Sequence, residues 1–453
     1  MADNKLSFAE RLSYGMGDMG TSLAYNMASG FLLFYYTNVV GMPAAGVGTV
    51  FLIARLLDAV IDPVVGIMVD KTRSRWGRTR GYFLFTALPY ALLTVALFHV
   101  PDWSDGAQLV YAFVTFKGLG ILMSVQAIPY TALMPMMTLD PKQRLKLSGM
   151  RGVGTSISVV LGTAAVMPLV GVFGGDDQNK GFQYVAMLFA AIGFAATLAL
   201  FANCKERFED GSSPDFAIGP AVKEMLRNKA WLVVFASCLL YFIRFGLMMS
   251  ATAYFAIDVM RQPWLISVML PAVSGMLLLS SFVAPPILAR TGIRKGSAFV
   301  LALAAVIFAM LPLAQGNTGL FLALYIAACL ATYITVTAAF AMIAETVDYH
   351  EWKFGTRREG LLSAGISLST KVGMAIGTAG FAFMLGAAGY APDAVTDTAR
   401  EAIRWTYYGS AVVLLALQTV VVLMWPMDGM QETIRNDIAA RQPAAAAEQG
   451  RTS

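Results

Sequence analysis

Apolar runs separated by short polar or Gly/Pro-rich stretches repeat along nearly the whole chain. Each run approaches or exceeds the ~20 mostly apolar residues that a helix needs to cross a bilayer. The pattern predicts twelve helices, at residues 12–40, 44–70, 80–100, 107–137, 146–172, 181–204, 229–259, 263–289, 296–314, 318–347, 359–388 and 401–426. We therefore expect an all-α membrane protein with twelve transmembrane helices.

The longest internal polar stretch, KERFEDGSSPDFAIGPAVKEMLRNK, divides these helices into two sets of six. It predicts an N-terminal half over 1–204, a cytoplasmic linker over 205–228, a C-terminal half over 229–426 and a disordered cytoplasmic tail over 427–453. The halves also share a loop pattern, VDKTRSRWGRTRGY after helix two and VDYHEWKFGTRREG after helix ten. A parallel repeat of six helices is typical of the major facilitator fold, whose substrate site lies at midplane between the halves.

Composition and charge support this interpretation. Of the 453 residues, 57% are hydrophobic and 13% are charged, whereas soluble domains carry about 25% charged residues. Most lysines and arginines fall in the tails, the linker and the loops after even-numbered helices. The opposite loops and helix starts carry only Lys180, Arg261, Arg400 and Arg404. The positive-inside rule then predicts a multi-pass protein of the inner or plasma membrane with both termini cytoplasmic. Loop topology explains the net charge of +5 without a nucleic-acid partner.

Catalytic and ATP-driven classes find no support in the sequence. The two histidines form no Ser/His/Asp pattern and no metal-ligand spacing, and no G-x-x-x-x-G-K-[ST] loop occurs. The cysteines, Cys204, Cys238 and Cys329, lie in or beside apolar runs and are predicted to be packing residues. We expect no enzyme activity and no cofactor, which leaves an ion gradient as the source of energy.

Two carboxylates in predicted helix two indicate a function. Asp58 and Asp62 are four residues apart and share one helix face. An ionisable residue in a spanning helix is costly unless it has a partner or a role. Two close carboxylates cannot both be ionised cheaply, so a proton or a cation must join them. The sequence predicts a site for Na⁺ or H⁺ and for no other metal. The alternative is a structural network in which Arg55 neutralises one carboxylate and Arg151 or Lys371 the other.

Other charges allow two interpretations each. Arg151, near the cytoplasmic end of helix five, is either a site residue or an interfacial anchor that snorkels. Lys371 lies halfway along helix eleven, where snorkelling is difficult, which favours a function. After helix two, Asp70 is predicted to pair with Arg73 or Arg78 as a breakable cytoplasmic latch. The alternative for that basic cluster is a topology determinant alone.

Several stretches resemble one family. YGMGDMG, VGTVFLIARLLDAVIDPVVGIMVDKTRSRWGRTRGY, IPYTALMPMMTLDPKQR and AETVDYHEWKFGTRREG are similar to the glycoside–pentoside–hexuronide:cation symporters, typified by melibiose permease, and the resemblance covers residues 12–426. It implies secondary transport of a sugar or related solute, driven by Na⁺ or H⁺. It places the cation at Asp58 and Asp62, with Ser124 where a threonine is common, and the latch at Asp70 and the basic loop. It places the substrate at Ser22, Asn26, Gln126, Arg151, Ser367 and Lys371.

The chain also departs from the family pattern. Ser22 and Ala127 stand where the family uses aspartates, and Ile61, Thr131 and Val336 replace an asparagine and two tryptophans. Losing hydroxyl acceptors while keeping intramembrane cations makes the cavity more positive. We therefore expect a negatively charged glycoside such as a hexuronide rather than a neutral disaccharide. Fewer cation ligands favour H⁺, because a proton needs one carboxylate and Na⁺ needs several oxygens.

The sequence leaves two rival functions open. The first is a carrier of a lipid or another amphiphilic solute on the same fold, which the altered apolar positions allow. The second is a non-transporting membrane sensor, which the shortness of both tails disfavours. In each case the expected partners are a small solute and the surrounding membrane lipid, with the protein acting as a monomer.

Overall fold

The computed structural model describes residues 6–72, 74–77, 79–138, 141–207, 218–355, 359–430, 433–434 and 436–437. Some side chains inside the helices, including those of Asp58, Asp62 and Asp70, are outside this description. Across the described ranges the regular structure is entirely helical. The all-α class expected from the hydropathy pattern is therefore confirmed.

The described ranges contain sixteen α-helices, several of them consecutive pieces of one longer helix. They are α1 (Phe8–Phe34), α2 (Ala44–Lys71), α3 (Arg80–Leu97), α4 (Asp105–Met137), α5 (Pro141–Thr163), α6 (Val166–Gly174), α7 (Gln178–Asn203), α8 (Ile218–Arg227), α9 (Lys229–Tyr254), α10 (Ile266–Gly275), α11 (Leu277–Thr291), α12 (Ile293–Ala314), α13 (Thr318–Phe354), α14 (Glu359–Ala387), α15 (Asp397–Arg404) and α16 (Ser410–Leu423). Short π-helical turns extend α1 and α9 and join α15 to α16.

Eight helices in the described ranges are long and apolar enough to cross a membrane, or nine if one bent pair is a single span. In the bent pair, α5 from Met150 and α6 meet at 49°. Pro168 lies in the first turn of α6, where a missing N–H is tolerated. The same proline prevents α5 from continuing straight into α6, because it cannot donate the next hydrogen bond of that helix. Predicted helix eight is divided as well, because α10 ends at Gly275 and α11 begins at Leu277. The number twelve stays a prediction.

The chain forms two compact units. The first contains Met1–Ser212, Gly246–Gly275 and Ala375–Tyr407, and the second contains Ser213–Phe245, Met276–Met374 and Tyr408–Ser453. In the first unit α1 packs between α5 and α7, and α10 packs on α5. In the second, α12 packs on α13 and α16. The first unit thus combines helix segments from both predicted sequence halves.

The helices that begin the two predicted halves end in the same local structure. A π-turn closes α1 at Tyr35–Val39, and another closes α9 at Phe255–Val259. The segments align as YYTNVVGMP and FAIDVMRQP. Both have a left-handed residue at the same place, Gly41 at φ 87° and Arg261 at φ 54°. The match is a second sign of an internal repeat, beside the loops after helices two and ten.

Candidate functional site

Glycines allow α1 and α5 to approach closely in the first unit. A Cβ atom on Gly15 would lie 2.6 Å from the carbonyl oxygen of Met150, and a Cβ on Gly154 would collide with the Gly15 carbonyl oxygen. Small residues at such crossings let membrane helices pack backbone to backbone. The approach brings Asp18 of α1 and Arg151 of α5 into contact.

Replacing Gly154 by alanine is expected to destabilise the protein, because the added methyl group cannot fit against the α1 backbone without moving that helix. Overpacking of this kind costs about 1–3 kcal/mol. The measurement is the Tm of the purified protein in detergent. Gly152→Ala is the matched control, because a Cβ there meets nothing within 4 Å. Equal Tm values for the two variants would contradict the packing described here.

Asp18 is the centre of a polar network between α1 and α5. The residue is 7% exposed, and its Oδ2 accepts hydrogen bonds from Ser22 Oγ (3.0 Å) and Thr155 Oγ1 (2.7 Å). Its Oδ1 lies 3.6 Å from Arg151 Nε. Asn26 continues the network one turn along α1 by donating to the Ser22 carbonyl (2.8 Å). The structure therefore brings together three predicted substrate residues, Ser22, Asn26 and Arg151, around the carboxylate of Asp18, which the sequence patterns did not indicate as a site residue.

An aromatic pair supports the other side of Arg151. Its guanidinium carbon lies 4.7 Å from the centroid of the Tyr130 ring, a cation–π distance. Tyr130 stacks on Tyr14 at 4.8 Å and donates a hydrogen bond to the Tyr14 carbonyl (2.6 Å). The arginine side chain is still 33% exposed. Arg151 is thus held in one orientation while part of it stays accessible.

The remaining predicted substrate residues are placed differently. Gln126 of α4 is 2% exposed, and its amide nitrogen has no hydrogen-bond partner within the part of the chain that the structure describes. Ser367 and Lys371 lie on α14 in the second unit, Ser367 exposed and Lys371 half-buried. Arg244, also in the second unit, is buried with its guanidinium 5.2 Å from the Tyr241 ring centroid.

The predicted cation site lies on α2. The helix runs without a break through Asp58 and Asp62, so the two residues share one face, but their side chains lie outside the described part. Ser124 is half-buried on α4, which packs against α2. Arg55, three residues before Asp58, places its guanidinium 5.2 Å from the Tyr25 ring and 5.4 Å from the Phe116 ring.

The predicted latch is only partly covered by the structure. The backbone of Asp70 is in α2, whereas its side chain and the residues Arg73 and Arg78 lie outside the described part. The end of the same basic loop is held by Glu206, which follows α7. Its carboxylate accepts hydrogen bonds from the Thr79 hydroxyl (2.6 Å) and backbone N–H (2.7 Å). It also accepts one from the Arg80 N–H (3.2 Å), which places an anion at the N-terminus of α3.

A second polar network, the Tyr390 cluster, lies at the matching π-turns of α1 and α9. Asn38 Nδ2 donates to the Tyr390 hydroxyl (2.7 Å), which donates to Asp258 Oδ2 (2.8 Å). Asn38 and Asp258 occupy the same position in the two aligned segments. Beside them, the hydroxyls of Thr37 and Tyr254 share a hydrogen bond of 2.6 Å. The cluster thus ties segments of both predicted halves together within the first unit.

Long apolar helices with charged side chains buried among them are typical of a polytopic membrane transport protein. A sequence profile of the MFS/sugar transport protein family matches residues 13–429. The chain therefore belongs to this family, whose members are transporters. The resemblance derived from the sequence motifs is confirmed.

Individual relatives match along most of their length. The chain is 33% identical to an isoprimeverose transporter of Lactiplantibacillus pentosus over 96% of this chain and 92% of that one. It is 30% identical to the inner membrane symporter YicJ of Escherichia coli, over 93% and 90%. It is 28% identical to a glucuronide carrier protein homolog of Escherichia coli, over 94% of both chains.

A solved structure confirms the fold. A bacterial homologue of the human lysosomal transporter Spinster, crystallised in an inward-facing and unoccupied conformation, superposes with a TM-score of 0.72. The match covers 95% of this chain and 97% of that one at 14% identity. Together with the family match, this similarity confirms the major facilitator fold.

Proposed function

We propose that this protein is a secondary active transporter that couples the movement of a sugar or sugar derivative to that of Na⁺ or H⁺. The observation that carries the proposal is the pair formed by the buried Asp18 and the partly exposed Arg151 between two helices of a sugar-transport family member. Ion pairs of this kind are expensive in a membrane and are weak sources of stability. A recognition role for the solute accounts for this cost.

The chemistry of the network suits a polyhydroxylated solute. Arg151 supplies donors, Asp18 supplies acceptors, and Ser22 and Asn26 supply groups that can do both. The names of two relatives, an isoprimeverose transporter and a glucuronide carrier homolog, agree with a sugar or a sugar acid. Gln126, Ser367 and Lys371 stay proposed substrate residues on the sequence resemblance alone.

The coupling ion is proposed to bind at Asp58 and Asp62, with Ser124 as a further oxygen ligand. Coupling requires that the cation and the solute each stabilise the same state of the protein. We propose alternating access between the two sides of the inner or plasma membrane, with both termini in the cytoplasm. The working unit is a monomer surrounded by membrane lipid, without enzyme activity or cofactor.

Uptake into proteoliposomes tests the proposal. An imposed inward Na⁺ or proton gradient should drive accumulation of radiolabelled isoprimeverose, a neutral disaccharide, or of a methyl glucuronide above the outside concentration. Collapsing the gradient with an ionophore should release the accumulated solute. Absence of uptake for every sugar, together with transport of lysolipids, would replace the proposal with the lipid carrier. Sugar binding without any transport would replace it with the sensor.

A further inference from the structure

The carboxylate of Asp18 is bonded unevenly. Oδ2 has short hydrogen bonds from Ser22 and Thr155, at 3.0 and 2.7 Å. In the described part of the chain, the contact found for Oδ1 is the ion pair with Arg151 at 3.6 Å. Charge-assisted hydrogen bonds between nitrogen and oxygen are usually about 2.7–2.9 Å long. The two hydroxyls therefore fix the carboxylate in place, while the gap to Arg151 is wider than a closed ion pair.

This geometry presents an acceptor and a donor side by side. A carboxylate oxygen with unused lone pairs can accept from a solute hydroxyl, and the partly exposed guanidinium can donate to a neighbouring oxygen. Adjacent hydroxyls of a sugar ring offer both a donor and an acceptor at such spacing. A carboxylated sugar bound to Arg151 would instead place its negative charge next to Asp18, and like charges at this distance repel each other.

We propose that Asp18 is a specificity-determining residue that makes this site selective for the hydroxyl groups of a neutral glycoside and against sugar acids. This inference rests on the proposed sugar transport and narrows its substrate class. It also revises the expectation of an anionic glycoside, which rested on the loss of hydroxyl acceptors and the retention of intramembrane cations. Asp18 supplies a counter-charge to Arg151, one helical turn before Ser22 on the same face of α1.

Binding measurements on purified full-length protein test the inference. The two probes are methyl glucoside and methyl glucuronide, which differ in the carboxylate alone, and each is added to the wild type and to Asp18→Asn. Affinity is taken from calorimetry and from the rise in Tm with ligand concentration. The wild type should bind the neutral glycosides and discriminate against the glucuronide.

In Asp18→Asn the affinity for neutral glycosides should fall about 10- to 100-fold, as expected for loss of a hydrogen bond to a charged acceptor. The glucuronide should bind more tightly than to the wild type, since Arg151 is then free of its counter-charge. This opposite change for the two probes is the signature of a specificity residue, because a loss of structure would weaken both. Asp428→Asn, which removes the carboxylate near Arg294 in the second unit, should leave both affinities unchanged.

A second variant covers the case in which Asp18→Asn does not fold. Thr155→Val removes one donor to Oδ2 and keeps the carboxylate, so neutral glycosides should bind several-fold more weakly while the discrimination against glucuronide persists.

Unchanged discrimination in Asp18→Asn, or a wild type that prefers the glucuronide, would overturn the inference and leave sugar transport standing. Asp18→Asn that binds neutral glycosides normally but loses proton-driven uptake would assign Asp18 to coupling instead. A wild type that neither binds nor transports any sugar would overturn the proposed function itself.

Discussion

Replacing Asp58 or Asp62 by asparagine is expected to abolish cation-driven accumulation of the solute. Asparagine has nearly the same shape but no charge, so it cannot take up a proton at neutral pH and attracts Na⁺ much more weakly than a carboxylate does. The structure supports this prediction through the backbone, because α2 is continuous across both positions and places them one turn apart on one face. Solute should then only equilibrate across the membrane, and its inside concentration should not exceed the outside one.

The measurement separates coupling from transport itself. Counterflow exchange of labelled for unlabelled solute requires no net cation movement, so it should persist in both variants while gradient-driven uptake disappears. Solute affinity should also lose its dependence on Na⁺ or on pH, since coupling between the two ligands is reciprocal. Asp176→Asn, which changes an exposed loop carboxylate, is the control and should behave as the wild type. Accumulation that survives in both α2 variants would exclude these residues as the coupling site.

The fold was predictable from sequence because a bilayer imposes a simple rule on helices. Long apolar runs and the repeat of the basic loops were sufficient to indicate the major facilitator fold, which the family match confirms. The breaks were not predictable: a run of apolar residues continues through Ala164 and Ala165, where α5 and α6 bend apart. Hydropathy reports whether a segment can be buried, and it carries little information about where the backbone turns.

The candidate site was predictable where the chain resembles a known family. That resemblance indicated Arg151, whose position near a helix end also fits an interfacial anchor, and the structure places Arg151 beside Asp18 in the α1–α5 network. Asp18 lies in YGMGDMG, but the sequence around it contains no cation that would mark it as a paired, buried carboxylate. Its role depends on the glycine contacts that bring α5 against α1, and pairwise packing of distant segments is not encoded in local sequence patterns.

The Tyr390 cluster was also missed, and it gives the second large prediction. Its members come from three distant segments, and only the alignment of YYTNVVGMP with FAIDVMRQP hints that Asn38 and Asp258 correspond. With both termini cytoplasmic, as we propose, these π-turns lie at the outer ends of their helices. The hydrogen bonds of Tyr390 then close the outer side between the two sequence halves, and alternating access must break them in each cycle.

Tyr390→Phe is therefore expected to shift the conformational equilibrium towards the outward-open state. Removing the hydroxyl leaves the half-buried side chains of Asn38 and Asp258 without this partner, which costs about 1–3 kcal/mol, or about a 5- to 150-fold change in the equilibrium. The reporter is a cysteine introduced on α14 as Ala382→Cys, and its rate of reaction with maleimide is measured. Ala382 packs closely on α2, because a Cβ added to Gly48 would lie 2.8 Å from the Ala382 side chain. The rate of maleimide labelling at position 382 should rise as the outer side of the protein opens.

The protein offers both a low background of maleimide labelling and a matched control variant. The three native cysteines are buried, so their thiols are shielded from the reagent. Tyr111→Phe is the matched control, because that hydroxyl bonds the carbonyls of Ala96 and His99 within the first half (2.9 Å each). It should lower stability without raising the labelling rate. If both tyrosine variants label at the wild-type rate, the Tyr390 cluster does not hold the outer side closed.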